Sequence, residues 1–258
     1  MNESSALPLP DAAAPPPDDQ DDLAARVRAV RERVRAAAAR AGRSPDDVLI
    51  VAVSKTVDAE RVRAAYELGL KTFGENRVQE ARAKLSALHL PLLRWELIGH
   101  LQTNKVARAA ELFARVQSVD SVRLAEALEE RAARLERPLP VLLEVNVAGE
   151  ASKFGIAPAA LPEVARAVAA LPHLRAEGLM TVAPLAADPE AARPVFRRLR
   201  ALRDELRRNA PGEPAGAPEG AWAQLSMGMT DDFEVAIEEG ATIVRIGRAI
   251  FGERHANG

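Results

Sequence analysis

Lys55 is the residue whose type and setting point most directly to chemistry. It ends the run VLIVAVSK (48–55), in which six of the first seven residues are hydrophobic and four of those are β-branched. Such a run reads as a strand buried on both faces. A lysine at its carboxyl end has an apolar stem and an amine that is costly to take out of water. Burial disfavours the charged form of a lysine, and a neutral amine attacks aldehydes to give Schiff bases. On this stretch alone a second reading stands beside the first: a strand-end lysine that lays its stem on the core and keeps its head in solvent.

Several further places carry candidate groups. Ser226, Met227 and Gly228 (SMGM, 226–229) run straight into a helix with Asp231 and Asp232 near its start, and Gly247 precedes a short helix around Ala249. Small residues ahead of helix N-termini leave backbone N–H groups free and let an anion come close. Ordinary helix capping explains either motif alone; two of them after adjacent strands favour a phosphate. Arg245, in VRIGRAIFG (244–252), lies within a strand. A buried arginine is either half of an ion pair or faces a ligand. Beside a pyridine nitrogen, a permanent guanidinium charge would keep that nitrogen unprotonated and weaken the ring as an electron sink. In Glu75-Asn76-Arg77 the ligand contact is assigned to Asn76 and the rest to capping. His100 reads equally as a ligand contact or as a hydrogen-bonded structural residue.

The elements that must position these residues follow from hydrophobic periodicity. Strands are expected at 48–54, 72–74, 94–98, 114–118, 141–147, 174–180, 222–226 and 242–246, with helices between them. An amphipathic helix precedes the series, its Leu23, Val27, Val30 and Val34 on one face. Strand–helix alternation implies parallel pairing and right-handed crossovers. The 258 residues suit an α/β single-domain (β/α)8 TIM barrel with an extra N-terminal helix, the open doubly wound sheet being the alternative. In such barrels the working residues gather at the carboxyl ends of the strands, where every candidate above falls.

Composition narrows the function classes. The net charge of −2 gives no pull towards nucleic acid or membrane surfaces, and the basic helix at 193–208 reads as a solvated face. There is no cysteine, and the four scattered histidines show no metal-ligand spacing, so no metal is expected. No apolar run approaches the ~20 residues of a membrane span, and no leader pattern opens the chain, so a cytoplasmic protein is expected. Residues 1–22, rich in Pro, Ala and Asp, read as a disordered tail ahead of the barrel at 23–258. Residues 209–220 (NAPGEPAGAPEG) read as a mobile surface loop.

Taken together, VAVSK (51–55), FGENRVQEA (73–81), WELIGHLQTNK (95–105), QSVDS (117–121), EVNVAGEASKFG (144–155), GLMTVAP (178–184), LSMGMTDDFEVAI (225–237) and VRIGRAIFG (244–252) resemble the pyridoxal phosphate (PLP) homeostasis proteins. Their barrel is similar to the N-terminal domain of alanine racemase. The resemblance implies that Lys55 holds PLP as an aldimine, that Ser226 and Gly228 with Gly247 bind its phosphate, that Arg245 lies near the pyridine nitrogen, and that Asn76 and Met227 line the cofactor. Lys153 matches a loop lysine near the mouth. Thr230 stands where a serine is common. The function implied is intracellular PLP (vitamin B6) and amino-acid homeostasis, by a monomer that exchanges PLP with apo PLP-dependent enzymes. A PLP-dependent racemase or lyase is the alternative. Racemisation by two bases draws a tyrosine from a second domain. Here six residues follow Gly252, and the single tyrosine, Tyr66, is expected to pack in the first helix after strand one, so no catalytic residue is assigned.

Overall fold

A computed structural model of the chain describes residues 19–150, 153–209 and 221–253. Most of the tail at 1–22 and nearly all of the loop at 209–220 therefore lie outside the described residues. Helix α1 (Asp19–Arg40) begins four residues ahead of Leu23. Asp22 supports that first turn by accepting a 2.8 Å hydrogen bond from Arg26 Nε.

Eight parallel strands close into a barrel in sequence order, with β1 paired to β8. They are β1 (Leu49–Val53), β2 (Thr72–Glu75), β3 (Arg94–Leu97), β4 (Arg115–Val119), β5 (Leu139–Glu144), β6 (Leu174–Met180), β7 (Gln224–Ser226) and β8 (Ile243–Ile246). The outer layer is α2 (Ala59–Glu67), α3 (Val78–Ala87), α4 (Val106–Leu112), α5 (Val122–Arg134), α6 (Leu161–Ala169), α7 (Arg193–Asn209), α8 (Phe233–Glu238) and α9 (Arg248–Phe251). All eight expected strands are present, most with ends shifted by a residue or more, and three differ in ways the structure explains. β1 is buried only from Val51 onward; Leu49 is exposed and Ile50 half-buried. β5 stops at Glu144, because the Asn146 side chain turns the chain: its Oδ1 accepts the Gly149 N–H and its Nδ2 donates to the Glu150 carbonyl. β7 starts at Gln224, since Trp222 takes φ +59°, outside strand geometry.

Side chains alternate between two cores. Val51, Leu142, Met180 and Ile243 fill the barrel interior. The larger core lies between the strands and the helices, and includes Ala52, Phe73, Leu97, Leu225 and Ile246. α1 covers α8 and α9 with Leu23, Val27, Val30 and Val34, all at most 3% exposed; each such burial contributes about 2 kcal/mol. Ion pairs pin the same seam, Arg33 to Glu234 at 2.5 Å and Arg40 to Glu238 at 2.6 Å. The basic helix α7 is not simply a solvated face. Arg193, Arg197 and Arg200 converge on Glu239 at 3.1, 3.0 and 3.2 Å and dock α7 to the end of α8. Between β6 and β7 a Cβ at Gly178 would lie 1.9 Å from the Gln224 carbonyl oxygen, so this approach of strands requires glycine.

Candidate functional site

The carboxyl ends of β1, β7 and β8 form one side of the barrel rim. Lys55 follows β1 at a corner of the chain and is half-buried. It has the parity of Val51, which points into the barrel, whereas Ser54 has the outward parity of Ala52. The turn is closed by the Val57 N–H donating to the Ser54 carbonyl at 2.9 Å. Its third residue, Thr56, takes φ +66°, the sign a type II turn requires there and one that β-branched residues rarely adopt.

Gly247 sits beside Val53: a Cβ at this glycine would lie 3.4 Å from the Val53 carbonyl oxygen. Gly228, at φ +92°, packs so tightly on α8 that a Cβ would fall 2.5 Å from that of Ala236. Its carbonyl accepts the Arg245 N–H at 3.0 Å. The expected phosphate turns are thus neighbours, and they lie next to the lysine-bearing turn. Among the described residues, the N–H groups of Gly228, Thr230 and Asp231 have no backbone acceptor. The Thr230 hydroxyl bridges the two turns, accepting the Ala249 N–H at 3.4 Å. Asp232 folds back to accept the Met229 N–H at 2.6 Å, and burial raises its carboxyl pKa.

Two expected site residues have side chains engaged elsewhere. The Ser226 hydroxyl is fully buried and committed: it accepts from Arg245 Nη1 and donates to Gln117 Oε1, both at 2.6 Å. Its carbonyl accepts the Thr181 N–H. Ser226 therefore supports the arginine, and Thr230 is the hydroxyl that links the two glycine turns. The Met227 side chain is fully buried in the outer core, so only its backbone borders the rim.

Arg245 points inward and is 4% exposed. Its second nitrogen, Nη2, donates to the Thr181 carbonyl at 2.8 Å. Among the described residues no carboxylate lies within ion-pair distance, so the ion-pair reading is not what the site contains. Burial lowers its pKa to about 10, against the weaker pull of Glu144 and Asp232. Beneath it runs a polar column that sequence inspection missed. Gln117 bonds Glu96 at 2.5 Å, and Arg115 joins Glu96 at 3.0 Å and Glu177 at 2.8 Å. Alternate polar residues in RWEL and RVQS were the available signal.

Across the rim, Glu144 ends β5. Burial raises its carboxyl to about 7, with Arg245 and Lys153 opposing and Asp120 adding to the shift. Lys153 is exposed near the mouth. Its neighbour Phe154 stacks on His100 with ring centroids 3.8 Å apart, and His100 Nδ1 lies 3.3 Å from Asp120. His100 is thus held between Phe154 and Asp120. Asn76 follows β2 and is gripped by Gly99, where a Cβ would come 2.6 Å from the Asn76 carbonyl oxygen. It borders an open cleft of about 680 Å³ with Arg77, His100 and Lys105. Tyr66 is far from this rim: its hydroxyl bonds the Pro91 carbonyl at 2.5 Å, ahead of β3, at the opposite end of the barrel. No helix among the described residues is long and apolar enough to cross a membrane, and no described cluster of His, Asp and Glu could hold a metal.

Residues 25–255 match the alanine racemase N-terminal domain family. A pyridoxal phosphate homeostasis protein of Aquifex aeolicus is 46% identical over 229 residues, covering 89% of this chain and 97% of that protein. Its counterpart in Pseudomonas aeruginosa is 45% identical over 232 residues, covering 90% and 96%. The chain belongs to the pyridoxal phosphate homeostasis protein family. Among solved structures, PipY of Synechococcus elongatus with PLP bound matches at a TM-score of 0.77 and 36% identity, over 89% of this chain and all of that one. The family resemblance of the eight sequence motifs and the closed barrel agree with these relatives.

Proposed function

We propose that this chain binds PLP at the rim of β1, β7 and β8, covalently through the Lys55 amine, and holds it for intracellular vitamin B6 and amino-acid homeostasis. The observation that carries the reading is the convergence, on one edge of the barrel, of three different features. These are a lysine at a strained turn, a pair of glycine turns with free amides, and a buried arginine held by neutral partners. The amides of Gly228, Thr230 and Asp231, with the Thr230 hydroxyl and the Gly247 turn, suit a phosphate. Arg245 offers a guanidinium to a ring nitrogen, a partner that keeps that nitrogen unprotonated and disfavours carbanion chemistry. Asn76 borders the site from β2.

The bound aldehyde would supply a reversible linkage to amines, which suits storage and exchange with apo PLP-dependent enzymes. Tyr66 is committed to the Pro91 carbonyl, so it is no counterpart to a second base. A monomer acting in the cytoplasm completes the reading. The test is borohydride reduction of the PLP-loaded protein followed by peptide mass spectrometry. A single pyridoxyl adduct on Lys55, absent in Lys55→Ala, is expected. An adduct on Lys153 alone would overturn the assignment, and robust amino-acid turnover lost in Lys55→Ala would replace storage by catalysis.

A further inference from the structure

Behind the lysine turn, on the side facing the helices, lies a buried charged group that the binding reading does not use. Glu75, the last residue of β2, is wholly buried, and its Oε1 accepts from the Ser54 hydroxyl at 2.7 Å and from Lys84 Nζ at 2.5 Å. Lys84 reaches in from α3 with only 11% of its side chain exposed, and also donates to the Ser54 carbonyl at 2.5 Å. The second oxygen of Glu75, Oε2, is buried with no hydrogen-bond partner. Burial raises the carboxyl pKa, and Lys84 and Ser54 pull it back. Removing a carboxylate and an ammonium from water costs several kcal/mol per ion. A simple apolar contact between α3 and the strands would have joined them without that cost.

Two of these three bonds end on Ser54, the residue before Lys55. Its hydroxyl is held by Glu75, and its carbonyl by Lys84 and by the Val57 N–H that closes the turn. Its own N–H donates to the Gly74 carbonyl at 3.1 Å. Every polar group of Ser54 is thus fixed, at the base of a turn whose third residue, Thr56, sits in the left-handed region. A strained backbone persists only where its surroundings over-determine it. Lys55 lies at the corner between the fixed residue and the strained one.

We propose that Ser54, Glu75 and Lys84 are positioning residues for Lys55: they lock the turn so that its amine projects over the barrel mouth. The inference rests on Lys55 being the PLP-bearing amine. It adds that the rate of condensation between amine and aldehyde, with release of water, is set by residues on the far side of the strand. Misplacement of a reacting group by about 1 Å can cost up to about a hundredfold in rate, so a loosened turn is expected to cost about tenfold.

The test compares wild type with Ser54→Ala and with the charge-neutral pair Glu75→Gln/Lys84→Met. Ser54→Ala removes one hydroxyl and is the variant least prone to misfold. In apo-protein, backbone amide exchange at Val57 is expected to accelerate by about tenfold as the turn opens. On adding PLP, the visible band is expected to form about ten times more slowly, with an altered pH midpoint. A purely structural role would lower the melting temperature and leave the condensation rate and the pH midpoint untouched. That result, or unchanged Val57 exchange in folded variants, overturns the proposal. A wild-type protein that gives no pyridoxyl adduct on Lys55 overturns the binding reading and this inference with it.

Discussion

Two cations are buried within a few residues of the same rim, and they are held in opposite ways. Lys84 reaches in from the helix layer and is matched by a full carboxylate, Glu75. Arg245 faces into the barrel and rests on a hydroxyl and a carbonyl, with Glu144 and Asp232 acting only through space. The first arrangement is electrically closed. The second leaves a positive charge inside a protein with no formal counter-charge, which is costly unless something anionic or electron-rich comes to it. In the proposed reading, the first group holds the backbone and the second receives a ligand.

The comparison can be broken by experiment, most severely at Lys84. Lys84→Met leaves Glu75 as a buried charge without its partner, so urea unfolding should show a loss of about 3 kcal/mol. Adding Glu75→Gln should restore much of it, and a double-variant loss equal to the sum of the two single losses would mean the pair is not coupled. A smaller effect tests the through-space partner of Arg245. Glu144 keeps its proton in the folded state up to about pH 7, whereas the unfolded chain releases it near the ordinary 4.5. Between these values the native state binds more protons, so the stability of the apo-protein falls as pH rises through that window. Glu144→Gln should flatten this slope by on the order of 1–2 kcal/mol in unfolding measured from pH 4.5 to 7.5. Smallest of all, Arg245→Met should change apo-protein stability by no more than about 1 kcal/mol, because an apolar side chain replaces an ion without a paired carboxylate. A loss as large as that of Lys84→Met would show that Arg245 is structural after all.

Much of this molecule is legible in its sequence, for reasons that particular residues make plain. VLIVAVSK and VRIGRAIFG are short apolar runs ended by polar or small residues, so both the strands and the rim at their carboxyl ends follow from pattern alone. Arg245 stands out because an arginine inside such a run needs an explanation. Partnerships across the fold do not show in this way. Ser226 precedes a glycine turn and reads as an anion ligand, yet its hydroxyl is taken by Gln117, more than a hundred positions earlier. Met227 sits in the same motif, but strand parity sends it into the outer core. Glu75 and Lys84 are nine residues apart on different elements, a spacing that no helical or strand period flags. Thr230 looks like a conservative replacement until the two turns are seen to meet at its hydroxyl.

Thr56 adds a last point. Glycine would suit its φ of +66° with less strain, and Gly occupies similar positions at 42, 69 and 240. A branched residue there makes the loop harder to form but narrows the directions in which its neighbour can swing. In the proposed reading, this chain accepts a less comfortable backbone at the corner that aims its lysine.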